Sequence, residues 1–318
     1  RDRGGHPGGD RHRRDAGSRP PVGPGLTELL PFCPPLEWDA MLGYFALRAI
    51  PGVEVVAGGT YGRTVVVDGD PGVIEVARGS DDHLLLGAHL PHHGGLAQAA
   101  QRVRRIFGLD TDLDAARMAL AGDPVIGPLL AARPGLRVPG TWDPYEIGVR
   151  AIIGQQVTVA GASTLTGRLV ERHGERLPGR APPRLTHTFP SAATLAAADL
   201  DGIGLTQARA RAIRGFAAAV AADRVRLDAS VPLDELVGSI TAVPGVGPWT
   251  AHYIALRIGE PDALPASDLG LRRALAETGA AAVIPSADEL TARAEAWRPW
   301  RALAAVHLWS SGRAVRAT

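Results

Sequence analysis

The chain has 318 residues, 45% of them hydrophobic and 21% charged, and its 34 basic side chains, all arginine, face 33 acids for a formal net charge of +1. That length predicts two or three domains with sizeable cores, and no apolar run approaches the ~20 residues of a membrane span. A single cysteine, Cys33, excludes an intramolecular disulfide and a four-thiolate metal cluster, and the near-zero charge excludes a protein that holds polyanions by bulk charge.

Residues 1–25 are rich in Arg, Gly and Pro with almost nothing apolar, which predicts a disordered tail with no secretory signal. They carry six arginines and three aspartates, so the body keeps 28 basic against 30 acidic residues. Any nucleic-acid binding by the body must therefore rest on local donors, with a shallow salt dependence.

Residues 26–110 mix two periodicities. The segments GVEVVA, GRTVVVDG, GVIEVAR and HLLLGAHL read as short strands between Gly/Asp turns, whereas WDAMLGYFALRAI and LAQAAQRVRRIFGL read as amphipathic helices. Together they predict a small α+β domain with an antiparallel sheet. Cys33, beside Pro34, is expected in a strand or in the core.

Residues 111–318 are helical wherever the pattern is strong. Asp143-Pro144-Tyr145-Glu146 opens a helix, with Asp143 as cap, Pro144 in the first turn and Glu146 as capping-box partner. Gln155 and Gln156 interrupt the pattern before a long helix from about Val157 to His173. Asp201-Gly202-Ile203-Gly204-Leu205 reads as a glycine turn before another helix, whose Arg209, Arg211 and Arg214 are available to phosphate, although a purely structural turn is favoured. Further helices start near Leu233, Trp249, Asp268, Ser286 and Pro299.

The stretch from Ile240 to Leu271 carries the chemistry. Pro244, Gly245, Val246 and Gly247 turn the chain between two helices, the glycines permitting positive φ and close approach of another backbone. Free N–H groups at the start of the second helix then form an anion site. Asp268 follows 21 residues after Gly247, at the start of another helix whose dipole favours an ionised carboxylate. A tight helix connection and an ordinary N-cap account for either feature alone; the spacing of the two is the rarer observation.

This segment, PGVGPWTAHYIALR followed by LPASDLGL, resembles the helix-hairpin-helix, Gly/Pro-rich loop and aspartate signature of base-excision DNA glycosylases, and is especially similar to the AlkA-type DNA-3-methyladenine glycosylase II family. The similarity extends through PPLEWDAMLGYFALRAIPGVE, RPGLRVPGTWDPYEIGVRAIIGQQVTV and AWRPWRALAAVHLW, over roughly residues 28–312. It implies two helical subdomains with the active-site cleft between them. It further implies a monomeric, cytoplasmic enzyme of base excision repair that acts on double-stranded DNA containing alkylated bases, needs no membrane and requires no cofactor, with a Na+ or K+ ion as an option on the backbone of Thr241 and Val243.

In that reading Asp268 is catalytic, and Gly245, Val246, Gly247, Thr250, Gln155 and Gln156 meet DNA. Trp249, Tyr253, Trp309, Tyr44 and Val159 wall the base pocket; Trp249 and Tyr253, at i and i+4, also share a helix face on spacing alone. Gln156 matches the residue that plugs the stack behind a flipped nucleotide, where the best-known member has leucine. Leu269 stands where that member has tyrosine. Trp249 occupies the position of the lysine that makes some relatives strand-cleaving lyases, which excludes a lysine Schiff base.

Breaking the C1′–N bond leaves positive charge on the sugar, which a fixed carboxylate stabilises while it orients water. An alkylated purine such as 3-methyladenine or 7-methylguanine is already cationic, so its departure needs no proton, and ring faces attract it by ~0.5–2 kcal/mol each. Activity on deaminated or oxidised bases, a non-catalytic damage-binding module, and a place within a longer fused repair and regulatory protein remain open alternatives.

Overall fold

The computed structural model describes residues 25–178, 183–228, 230–279 and 283–312. The expected tail therefore lies outside the described residues, except for Gly25. In the N-terminal half, strand β1 (Leu26–Pro31) leads to helix α1 (Trp38–Arg48), then to β2 (Glu54–Ala57), β3 (Thr60–Val67), β4 (Asp70–Arg78) and β5 (His83–His89), and to α2 (Leu96–Phe107). The five strands form one antiparallel sheet in the order β1-β5-β4-β3-β2. Two tight turns set its register: Gly58-Gly59 and Asp68-Gly69 each place two consecutive residues at positive φ, as two-residue hairpins require.

Trp38 and Phe45 of α1, Tyr61 of β3 and Phe107 of α2 meet edge to face or tilted, with ring centroids 5.0–5.8 Å apart, and knit both helices to the sheet. Cys33 is exposed in the loop after β1, not in a strand or the core, because the strand stops at Pro31.

The remainder is helical: α3 (Leu113–Leu120), α4 (Ile126–Ala132), α5 (Pro144–Ile153), α6 (Val159–His173), α7 (Ala192–Ala196), α8 (Gln207–Ala221), α9 (Leu233–Thr241), α10 (Pro248–Ile258), α11 (Leu269–Glu277), α12 (Ala287–Ala294) and α13 (Arg301–Ser311). Helix α5 is the hub. Its residues from Tyr145 to Ile153 are buried apart from Arg150, as a helix surrounded on all sides must be, with α6, α8 and α10 packed around it.

The start of α5 corrects one local expectation. Asp143 caps it, accepting from the Tyr145 N–H at 2.8 Å, but Glu146 closes no capping box. Its carboxylate turns toward the sheet and meets Arg63 of β3 at 2.6 Å and Arg150 at 3.1 Å. Arg150 also reaches Glu54 at 3.1 Å, and Glu54 takes the Tyr61 hydroxyl at 2.7 Å. A buried carboxylate without a cation is costly, so long-range pairing overrides the local capping rule. Burial alone would raise the Glu54 carboxyl, but Arg150 and Arg63 outweigh it and hold it below its ordinary range. This network joins sheet to hub and fixes α1 relative to the helical half.

Candidate active site

A cleft of about 610 Å³ opens where α1, α5, α6, α10, α13 and the start of α11 converge. That volume falls within the range of small-ligand sites and accommodates a purine with its sugar. Tyr44, Val159, Trp249, Tyr253, Asp268 and Trp309 all line it, so residues spread over most of the sequence come together on its walls.

Asp268 is the N-cap of α11 and accepts the Leu271 N–H on Oδ1 at 2.9 Å. The same oxygen accepts the indole N–H of Trp309 at 3.0 Å, and Oδ2 accepts that of Trp249 at 2.9 Å. Three donors aim a half-buried carboxylate into the cleft, and among the described residues no guanidinium neutralises it. Gly270 makes this arrangement possible: a Cβ there would sit 2.9 Å from Asp268 Oδ1 and 3.6 Å from the Trp309 ring. Sequence reasoning passed over Gly270; its only signal is a glycine in the first turn of a helix, where a better helix former is expected.

The aromatic wall is ordered. Trp249 and Tyr253 stack with centroids 5.3 Å apart and planes within 7°, as the i, i+4 spacing on α10 allows, and Trp309 stands edge-on to Tyr253 at 6.5 Å. Tyr44 enters from α1 with its hydroxyl 3.3 Å from that of Tyr253. Val159, the first residue of α6, lines the cleft and is exposed; Leu269, next to Asp268, is exposed but does not line it.

Below the rings lies a feature that sequence reasoning did not assign. Arg257, buried one turn beyond Tyr253, donates from one Nη to the Tyr44 hydroxyl at 2.6 Å and to the Tyr253 hydroxyl at 2.9 Å. Its other nitrogens hold the carbonyls of Pro139 and Gly140. Arg48 lies 4.0 Å over the Tyr44 ring, and Arg150 lines the same cleft. The available signal was an arginine at helical spacing on an otherwise apolar face.

The hairpin between α9 and α10 differs from expectation in one glycine. Gly245 has φ +88°, in the left-handed region, whereas Gly247 has φ −94° and needs no glycine conformation. Gly247 instead leaves space, since a Cβ there would meet nothing within 4 Å. It is the N-cap of α10 with no side-chain cap, and Pro248 has no N–H, so the amides of Trp249 and Thr250 open the helix without a local side-chain acceptor.

Other expected DNA contacts fall differently. Val246 is buried between the two hairpin helices and offers only backbone. The Thr250 hydroxyl is buried and accepts from Gln155 Nε2 at 3.1 Å; the same nitrogen donates to the Gly245 carbonyl at 3.2 Å. Gln155 thus braces the hairpin against the α5–α6 turn, with its Nε2 and the Thr250 hydroxyl engaged within the protein. Gln156, exposed with φ +57° at the tip of that turn, projects beside the cleft. Thr241 is the last residue of α9 and Val243 lies two residues beyond it; the Val243 carbonyl accepts the Val246 N–H at 3.0 Å.

The Asp201–Leu205 turn is held from within the protein. Gly202 and Gly204 have φ +77° and +101°, Arg172 bonds the Asp201 carbonyl, and Arg168 bonds that of Ile203. Arg209 is spent on the Gln155 carbonyl.

Comparison with known proteins fits this geometry. Residues 27–143 match the AlkA N-terminal domain, and residues 149–299 match the HhH-GPD superfamily of base excision DNA repair proteins. DNA-3-methyladenine glycosylase 2 of Escherichia coli is 35% identical over 285 residues, covering 87% of this chain and 94% of that protein. The chain belongs to the HhH-GPD superfamily of base excision DNA repair proteins. A second relative, the probable bifunctional transcriptional activator/DNA repair enzyme AlkA of Mycobacterium tuberculosis, is 39% identical over 283 residues. Those residues are 89% of this chain but 56% of that relative, so the chain spans about half its length. The fold is similar to that of the 3-methyladenine DNA glycosylase of Archaeoglobus fulgidus, at a TM-score of 0.79 and 21% identity, over 92% of this chain and all of that one.

Proposed function

We propose that this chain is a monofunctional DNA glycosylase that hydrolyses the N-glycosidic bond of alkylated bases, of the 3-methyladenine and 7-methylguanine type, in duplex DNA. The single observation that carries the reading is the Asp268 carboxylate, aimed by two indoles and one backbone amide into an aromatic cleft beside an uncapped helix start. The open amides at Gly245, Gly247, Trp249 and Thr250 hold a phosphate, and a nucleotide next to it swings into the cleft. Gln156, at the exposed tip of the neighbouring turn, fills the gap left in the stack.

Inside the cleft, Trp249 and Trp309 offer ring faces to a cationic base and direct their polar edges at Asp268. As the base leaves, the carboxylate stabilises the positive sugar and accepts a proton from the attacking water. The products are a free base and an intact strand bearing an abasic site. With no lysine in the sequence, no lysine amine can form the Schiff base that leads to strand cleavage. The donor set at the hairpin, backbone oxygen at Thr241 and Val243 with no carboxylate or imidazole cluster among the described residues, suits Na+ or K+. Such an ion would add positive charge next to the bound phosphate.

Base release from methylated duplex DNA tests the reading. Wild type is expected to release 3-methyladenine and leave the strand unbroken until alkali is added. Asp268→Asn, which keeps the cap, is expected to lose about 10²–10³-fold or more in rate. Tight binding of alkylated DNA without release of any base by wild type would make the protein a damage-binding module instead. Preferential release of hypoxanthine or 8-oxoguanine would reassign the lesion.

A further inference from the structure

A pocket built for a cationic base has no obvious use for cations along its wall, yet the buried Arg257 and the half-buried Arg48 and Arg150 all lie there. Their arrangement suits a different task. Arg257 can only donate, so the oxygens of Tyr44 and Tyr253 each accept from it, at 2.6 and 2.9 Å. Across the 3.3 Å between the two hydroxyls only one proton can bridge. The pair therefore keeps one O–H that neither Arg257 nor the partner phenol uses, on the wall of the cleft where the base must lie.

We propose that Tyr253, with Tyr44 and Arg257 behind it, is the proton donor to the departing base when that base is neutral. This rests on the glycosylase reading of the site. As the C1′–N bond breaks, its electron pair goes to the base, whose ring nitrogen takes the Tyr253 proton. The phenolate left behind is held by the Arg257 N–H and the Tyr44 hydroxyl. Water adds to C1′ and loses its proton to Asp268, and that proton returns through solvent to Tyr253, so the net reaction is hydrolysis.

The surroundings favour transfer from Tyr253 over Tyr44. Burial alone would raise the Tyr253 hydroxyl, but Arg257, Arg48, the Tyr44 hydrogen bond and Arg150 together outweigh it and bring it down to about 8. Burial pushes Tyr44 the other way. The remaining charged groups lining this space are Asp268 across the cleft, Glu37 paired with Arg133, and Arg137, which is held by the Gly108 and Cys33 carbonyls; behind the wall, Glu54 and Glu146 are both engaged by Arg150. A donor must be protonated to act, so its contribution is present below pH 8 and lost as the pH rises through it.

Single-turnover release of 7-methylguanine and of hypoxanthine, compared between wild type and Tyr253→Phe from pH 6 to pH 9.5, tests this. The phenyl ring keeps the stack on Trp249 and removes only the hydroxyl. The hypoxanthine rate is expected to fall about 100-fold further than the 7-methylguanine rate, within the usual yield of general acid catalysis. Wild type should also show a basic limb near pH 8 for hypoxanthine that Tyr253→Phe lacks. Tyr44→Phe, which removes the hydrogen bond into Tyr253, should move that limb up by about one pH unit.

Equal losses on both substrates would make Tyr253 a wall and nothing more, overturning the proposal. So would a basic limb shared by both substrates, or release of 7-methylguanine by wild type with no release of hypoxanthine. Failure of wild type to release either base would instead strike at the glycosylase reading, as would full activity in Asp268→Asn.

Discussion

The molecule contains two glycine turns that lead into helices, and they are built to opposite ends. At Asp201–Leu205 both glycines are at positive φ, two arginines of α6 hold the carbonyls, and Thr206 caps α8 by accepting the Arg209 N–H. The carbonyls of Asp201 and Ile203 and the Arg209 N–H there are engaged within the protein. At Pro244–Gly247 a single glycine is at positive φ, no side chain caps α10, and Gly247 faces open space. On the proposed reading, a phosphate site is defined less by its glycines than by what the protein withholds from them: a cap would occupy the same amides that an anion needs.

The largest effect is expected where conformation and site coincide. Gly245→Ala puts a Cβ at φ +88° and within 3.0 Å of the Ala212 Cβ. Backbone strain of this kind costs on the order of 1–3 kcal/mol. Since the same residue carries the carbonyl braced by Gln155, the hairpin should shift with it. Thermal unfolding should show the loss of stability, and duplex DNA affinity should drop by about tenfold or more. Gly204→Ala, at φ +101°, should lose comparable stability, and its DNA affinity should remain that of wild type. If both variants lost affinity alike, the two turns would share the DNA and the contrast between them would break.

How far the sequence disclosed this depends on range. The sheet was legible from strand alternation and its Gly/Asp turns, and helix starts from the caps at Asp143 and Asp268, because these signals act over two to four residues. Trp249 and Tyr253 were legible as one face for the same reason. Trp309 and Tyr44 were not: their bonds to Asp268 and Tyr253 span 41 and 209 residues, and only likeness to a family pointed to them.

Glu146 was misread because a local rule offered it a partner while the decisive one, Arg63, lies 83 residues away. The arginines beneath the pocket escaped for a related reason. An arginine reads as surface until its acceptors are known, and those of Arg257 are carbonyls and phenols from three separate segments. The two hairpin glycines look interchangeable in sequence, and only the backbone shows that one supplies conformation and the other supplies room.

Room can be tested without strain. Gly247→Ser places a hydroxyl at an N-cap already in extended geometry, φ −94° and ψ 173°, with nothing nearby to displace. The hydroxyl should accept the Thr250 N–H and stabilise α10 by a few tenths of a kcal/mol up to about 1 kcal/mol. It should at the same time weaken duplex binding several-fold, because an amide donated inward no longer serves a phosphate. Stability rising while affinity falls is the signature; a gain in both would mean the open amides have no part in holding DNA.

The smallest effect is the mirror image. Thr206→Ala removes the side-chain cap of α8 and returns the Arg209 N–H to solvent, at a cost of about 1 kcal/mol in unfolding free energy. Opening this helix start should not create a second phosphate site, because Arg168 and Arg172 still tie down the turn before it and Arg209 still holds the Gln155 carbonyl. Duplex affinity and its salt slope are therefore expected to match wild type. A steeper slope would show that an uncapped amide row is sufficient by itself, and the distinction between the two turns would reduce to one missing hydroxyl.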